Sequence, residues 1–223
     1  LIFSYPQDQI ICEPIEIPDH WPRLAAIDFG GISEKSHPSA VVWMAYDGIN
    51  DTAYISDCLK MYSNDPADVA ARILSRPQWI TTFYPHDMEK TVPGGDSVAD
   101  VYRKYGVNMF QTHTTNQNDK KDDGKGGIKI EPGLVDMNSR FSDRRLRVFN
   151  TLPEIWEELR NYHTVKTADG NAKIVDRDDD LISAVRYALM MKRHAQLESD
   201  ILDNGEEDDW EEAVTGRSGI TGY

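Results

Sequence analysis

Leu24-Ala-Ala-Ile-Asp-Phe-Gly-Gly31 decides how this chain folds. An apolar run that ends on an acid and then turns at a glycine pair reads as a strand running into a loop. Two more apolar runs follow at once, Ser39–Tyr46 and Thr52–Leu59, with Asp47-Gly48 between them. Three strands joined by short polar turns predict an antiparallel meander. Asp65 then stands as an N-cap before Pro66, and Val69, Ile73 and Leu74 supply that helix's apolar face. Trp79–Phe83 predicts a fourth strand. Gly94-Gly95-Asp96 starts a second helix carrying Val98, Val101, Tyr102 and Tyr105, stopped by Gly106. Asn108–Thr112 predicts a fifth strand. Right-handed crossovers set strand four beside strand one and parallel to it. The expected class is α/β: a mixed five-stranded sheet, antiparallel meander then parallel strands, flanked by helices.

The remainder of the chain adds smaller pieces. Residues 114–128 are polar and Gly-containing and predict a mobile loop. Arg144–Phe149 predicts a short edge strand. Thr151 with Glu154 predicts a capping box for a helix bearing Ile155, Trp156 and Leu159. Tyr162–Lys166 and Ala172–Val175, around Asp169-Gly170, predict a hairpin. A last helix is expected from about Asp179 to His194.

Acidic residues gather where these elements change character. Asp28 ends the first strand, Asp87 follows the fourth across Tyr84-Pro85-His86, and Asp179 and Asp180 open the last helix. Each also has a plainer reading: Asp28 as a turn former, Asp87 as an ordinary loop acid, Asp178-Asp179-Asp180 as an N-cap with charges that suit the helix dipole. The topology, however, brings the carboxyl ends of strands one and four together, and that edge is where open α/β sheets bind ligands. Three carboxylates there make a site for a hard cation such as Mg²⁺ or Mn²⁺. Two such ions about 4 Å apart can activate water and stabilise the leaving oxygen of a phosphodiester. The expectation is a metal-dependent nuclease, with His86 a candidate for proton transfer.

Net charge is −14 over 223 residues, which on its face disfavours nucleic acid. Residues 198–212 hold nine acids and no base, and setting the tail aside more than halves the excess. That tail is expected to be disordered. Lys120, Lys121, Lys125 and Lys129 in or beside the polar loop, with Arg144 and Arg145 further on, are candidates for weak, salt-sensitive contact with a DNA backbone. Interspersed charges also serve as a plain solvated face. Cys12 and Cys58 are the only cysteines and fit a reduced, intracellular protein without a disulfide frame. No apolar stretch approaches a membrane span. Residues 1–22, punctuated by Pro6, Pro14, Pro18 and Pro22, read as a linker, and the initial Leu1 suggests a preceding part. The expected division is a linker over 1–22, one catalytic domain over 23–197 and an acidic tail over 198–223.

Several segments, taken in order, resemble a known family. They are Ala26–Gly30, Tyr84–Asp87, Ile130–Leu134, Leu146–Phe149, Trp156–Tyr162 and, most specifically, Asp179-Asp-Leu-Ile-Ser-Ala-Val-Arg-Tyr187. Together they resemble the C-terminal nuclease domain of the tailed-phage DNA-packaging terminase large subunit. The resemblance implies a ribonuclease H-like fold and an endonuclease that cuts double-stranded concatemeric DNA during genome packaging. It implies an upstream ATPase domain, two Mg²⁺ or Mn²⁺ ions, and Asp28, Asp87 and the Asp179-Asp180 pair as ligands and catalytic residues. Portal protein and small terminase subunit would be partners, and the host cytoplasm the location. The Asp28–Gly31 turn also resembles the phosphate turn of actin-like ATPases, but no second glycine-rich phosphate loop and no GxxxxGK[ST] is present. A second class stays open: a non-catalytic module on the same fold, docking to portal or capsid through the acidic tail.

Overall fold

The computed structural model describes residues 2–30, 37–63, 65–120, 126–127, 129–166, 172–175 and 178–201. The acidic stretch beyond residue 201, and with it most of the expected tail, lies outside the described residues.

A six-stranded sheet forms the centre. The meander is as expected: β2 (Arg23–Asp28), β3 (Ser39–Asp47) and β4 (Thr52–Met61) pair antiparallel in sequence order. On one side β5 (Thr82–Phe83) lies parallel to β2. On the other, β8 (Leu146–Phe149) lies parallel to β4, and β1 (Ile11–Cys12), which follows the short helix α1 (Gln7–Ile10), closes the edge against β8. The strand order is β1-β8-β4-β3-β2-β5. The Leu146–Phe149 run is therefore an interior strand and not an edge, because residues 11–12 cover its outer side. Asn108–Thr112 does not become a strand. It runs beside β5 with one bridge, Thr82 to Met109; Phe110 N donates to Thr82 O at 2.9 Å, and its ring packs on Phe83 at 4.6 Å.

Side chains alternate between the two faces of each strand, so a fully buried sheet sorts its apolar residues by parity. Leu24, Ala26, Val42, Met44, Ala53 and Ile55 face α4 (Ile130–Ser142), α5 (Pro153–Asn161) and α6 (Asp180–Met191). Ala25, Ile27, Val41 and Trp43 face α2 (Pro66–Leu74) and α3 (Val98–Lys104). Asp65 caps α2 through Ala67 N at 2.9 Å, as its sequence predicts. In α3 the cap is Ser97, in a capping box with Asp100, one residue after the expected Gly94-Gly95-Asp96 start. In α5 the expected Thr151 box is absent. Leu152 is the N-cap and Pro153 the first helical residue, a position where the missing N–H costs nothing.

Helix α4 has no counterpart in the sequence reading, since Pro132 and Gly133 look like breakers. Pro132 falls in the first turn, where proline is tolerated. Gly133 is dictated by packing, because a Cβ there would come within 2.6 Å of Arg186 Cγ on α6. The polar loop contains a two-stranded ribbon, β6 (Asn116–Lys120) with β7 (Gly126–Gly127). The expected hairpin is present as β9 (Thr164–Lys166) and β10 (Ala172–Ile174), while its tip lies outside the described residues. The first residues contribute to the core, for Phe3 and Ile10 are buried in the same cluster as residues of α4.

One ion network locks the end of the sheet away from Asp28. Asp51, at φ 48° in the β3–β4 turn, accepts from Tyr46 Oη at 2.6 Å, Arg140 Nη2 at 3.1 Å and Arg145 Nη1 at 2.5 Å. Burial would raise its carboxyl, but these donors hold it down at about 2. A depressed carboxyl contributes stability that is present above its ordinary range and lost as pH falls toward the folded value. Asp51→Asn keeps a residue that accepts positive φ. Its melting temperature should lie about 2–4 °C below the parent at pH 6, and the gap should close on acidification toward pH 2–3. Thermal melts across that range check it.

Candidate metal centre

Asp28 continues the Leu24–Ala26 face of β2, so its side chain emerges beneath α6. The sheet register then fixes its neighbours. Asp28 pairs across with Ala40 on β3, and Ala40 pairs with Lys60 on β4. The row reads acid, methyl, ammonium. Ala40 is fully buried, and its small side chain leaves room for the first turn of α6 to come down between the other two.

Asp180 fills that room. Only 4% of it is exposed, and its two oxygens are committed to different partners. Oδ2 lies 2.9 Å from Lys60 Nζ and Oδ1 lies 3.0 Å from His37 Nδ1. Lys60 Nζ is also 2.6 Å from Glu158 Oε1. Glu158, buried on α5, turns its Oε2 to the backbone N–H groups of Leu181 and Ile182, at 2.9 and 3.2 Å. Capping of α6 is thus done by Glu158 from another helix. The N-cap residue Asp179 makes no side-chain cap bond, which sets aside the plainer reading of that acid as a cap. Burial opposes the charge on Lys60, yet the two carboxylates outweigh it and raise the ammonium's pKa.

Asp87 arrives from the other side. It sits in the 3-10 turn His86–Glu89 that follows β5, and its Oδ1 is buried without a hydrogen-bond partner. A buried carboxylate oxygen with no donor is costly unless something charged completes it. Asp28, Asp87, Asp178, Asp179 and Asp180 all line one cavity of about 260 Å³, together with His37, Ile130, Tyr162, Ser183, Arg186 and Tyr187. Burial above all, then the charge of Asp180, pushes the Asp28 carboxyl well above its usual range. Arg186 pulls the other way, while Asp87 and Asp179 add to the rise. Tyr187 is pushed up to about 12, first by burial and then by Asp28, so its hydroxyl stays a proton donor at neutral pH. Ligand atoms of Asp28, His37 and Asp180 all lie within 4.8 Å of one another. These three donors are close enough to share a divalent cation, and the unpartnered oxygen of Asp87 belongs to the same cavity.

The other sequence candidates are placed unevenly. His86 is exposed, 6.3 Å from the ring of His113, and is not among the residues lining the cavity. Lys129 is exposed at the head of α4, beside Ile130, which lines the cavity. Lys121 and Lys125 lie outside the described residues, and of Lys120 only the backbone is described. Arg144 and Arg145 stand at the start of β8, at the opposite end of the sheet, engaged with Asp8, Asp51 and Asp143. Sequence reasoning gave no role to His37, Lys60, Glu158, Arg186 or Tyr187. Glu158, Arg186 and Tyr187 do fall inside the family-like segments Trp156–Tyr162 and Asp179–Tyr187, whereas no sequence signal singled out His37 or Lys60.

A three-strand meander continued by a parallel strand, with acids at the shared carboxyl end and a helix N-terminus, defines a ribonuclease H-like domain. The model of the Terminase RNaseH-like domain family matches residues 25–192, and the chain belongs to that family. It is 32% identical over 201 residues to the terminase large subunit of Salmonella phage P22, covering 90% of this chain and 37% of that protein. The terminase large subunit of Enterobacteria phage LP7 is 31% identical over 192 residues, covering 86% of this chain and 37% of that protein. The chain therefore spans a little over a third of the length of these curated relatives. Among solved structures, the P22 large terminase nuclease domain superposes with a TM-score of 0.75 at 32% identity, covering 90% of this chain and 96% of that one. The large terminase nuclease of thermophilic phage G20c with bound magnesium shares the fold, at TM-score 0.56 and 19% identity, covering 84% and 95%. No helix among the described residues is long and apolar enough to cross a membrane.

Removing one member of a buried ion group strands the others. Lys60→Met leaves Glu158 and Asp180 facing each other and should cost about 3 kcal/mol in urea denaturation. The double variant Lys60→Met/Glu158→Gln, which removes one stranded charge and keeps an acceptor for the α6 amides, should be less destabilised than the single one.

Proposed function

We propose that this domain is a divalent-metal-dependent endonuclease that cuts double-stranded concatemeric viral DNA during genome packaging. The observation that carries the reading is the convergence of Asp28, Asp87 and Asp180, with a buried, unpartnered oxygen on Asp87. Large terminase nuclease domains from bacteriophage SPP1 and phage G20c have been solved with bound Mn and magnesium respectively, which supports the same class of ligand here.

Asp28, Asp87 and Asp180 would hold the metal, with Asp179 as the further acid of the pair at the start of α6. Two Mg²⁺ or Mn²⁺ ions, when bound, supply Lewis-acid stabilisation of the charge that develops on the attacking and leaving oxygens. The protein's own groups prepare the place. Lys60 fixes Asp180 by one oxygen, so the other stays turned toward the cavity. Lys60 and Arg186 offset only part of the negative charge, so a phosphodiester would be repelled until cations are added. Tyr187 stays protonated and can donate to a phosphate oxygen. Lys129, next in sequence to the cavity-lining Ile130, would hold the DNA backbone together with Lys120, Lys121 and Lys125. Portal protein and small terminase subunit are the proposed partners, in the host cytoplasm.

Plasmid nicking in Mn²⁺ or Mg²⁺, against a chelator control, tests the reading. Asp28→Asn and Asp87→Asn should each lower the rate by roughly 10²-fold or more, because asparagine keeps the size and removes the ligand charge. Melting temperature should hold or rise as repulsion among the acids is relieved. Asp179→Asn and Asp180→Asn, made separately, identify the third ligand. Near-normal cutting by Asp28→Asn would end the assignment.

A further inference from the structure

We infer that His37 is a nitrogen ligand of the metal centre, so that the site prefers Mn²⁺ or Co²⁺ over Mg²⁺. The inference rests on the metal-dependent reading of the site and goes further, to which cation its donors suit. His37 precedes β3 and lines the same cavity as the five acids. Its Nδ1 is 3.0 Å from Asp180 Oδ1, and a ring nitrogen of His37, a carboxylate oxygen of Asp180 and one of Asp28 all lie within 4.8 Å of one another. Metal–ligand bonds of about 2.1 Å set cis ligands about 3.0 Å apart and trans ligands about 4.2 Å apart. The His37–Asp180 pair already has the cis separation, and the Asp28 oxygen, no more than 4.8 Å from the other ligand atoms, closes on an ion by side-chain rotation.

The backbone holds the imidazole there. Gly30 follows the Asp28 strand by two residues, and a Cβ on it would overlap the carbonyl oxygen of His37. Gly30 N donates to Ser39 Oγ at 3.2 Å, which pins the returning chain to the outgoing one. The glycine therefore lets the loop end close directly over the strand end that carries Asp28. Lys60 occupies the far oxygen of Asp180, so the near oxygen and His37 face the cavity as a pair. Mn²⁺ and Co²⁺ accept an imidazole nitrogen among oxygen ligands, whereas Mg²⁺ holds strongly to oxygen.

The test compares the parent with His37→Ala. His37 has a side chain 61% exposed, so the variant should fold with an unchanged melting temperature. Pulsed electron paramagnetic resonance of the Mn²⁺-loaded parent should show ¹⁴N coupling from a directly bound imidazole, and His37→Ala should lose it. Calorimetry should show Mn²⁺ affinity falling by about tenfold or more in the variant, with Mg²⁺ affinity changing by less than about threefold. Mn²⁺ binding without ¹⁴N coupling would overturn the assignment of His37 and leave the metal centre standing. Equal loss of Mn²⁺ and Mg²⁺ affinity would do the same, since a histidine that only orients Asp180 affects both alike. Absence of any Mn²⁺ binding at millimolar concentration would overturn both readings.

Discussion

Lys60 carries a positive charge to a point where α5, α6 and the meander meet, and two buried carboxylates close on it. One of them, Glu158, uses its second oxygen to cap α6. The other, Asp180, is the first residue of that helix. A single ammonium thus sets the height of α6 over the sheet and the rotation of its first turn. Without it, the helix N-terminus would have no buried anion to satisfy its amides, because a charge as deep as Glu158 needs a counterion. The arrangement holds the Asp180 carboxylate in one orientation, the preorganisation that the proposed metal ligand would need.

Asp28 sits in the same row on the opposite flank, and among the described residues no lysine pairs with it. Ala40 separates it from Lys60, and Arg186 approaches from α6 to offset part of its burial. Arg186 can lie there because α4 presents Gly133 to it, so a helix remote from the strands in sequence shapes the charge at the strand end. The consequence is a site balanced on one side and unbalanced on the other. Lys60 neutralises the helix end, and the sheet end is left with Asp28 and the partnerless oxygen of Asp87. An unbalanced cluster of acids is unfavourable for folding and suitable for a divalent cation.

Much of this geometry can be read from the chain alone, and the remainder fails for identifiable reasons. The meander was legible because β2, β3 and β4 are long apolar runs with turn residues between them. The placing of Asp28 and Asp87 at one edge followed from the handedness of the crossover. By contrast, Leu146–Phe149 is only four residues, and nothing local says that residues 11–12 come back to cover it. Helix α4 was hidden by Pro132 and Gly133, each acceptable for a reason that exists only in the folded state. Lys60 was hidden because it ends a half-exposed strand where a lysine is ordinary, and its partner Glu158 lies ninety-eight residues on. The family motif around Asp179–Tyr187 located the acids at the start of α6, but not the side chain that holds them.

The central claim is that the carboxylates at this edge are a metal centre and not a like-charged corner tolerated for other reasons. Anomalous difference density from a crystal soaked in millimolar Mn²⁺ addresses it without recourse to activity. The account predicts a peak within roughly 2.2 Å of carboxylate oxygens of Asp28 and Asp180, at bond lengths expected for such an ion. A saturating soak that leaves this cavity without a peak, or places Mn²⁺ only on surface acids elsewhere, would contradict it.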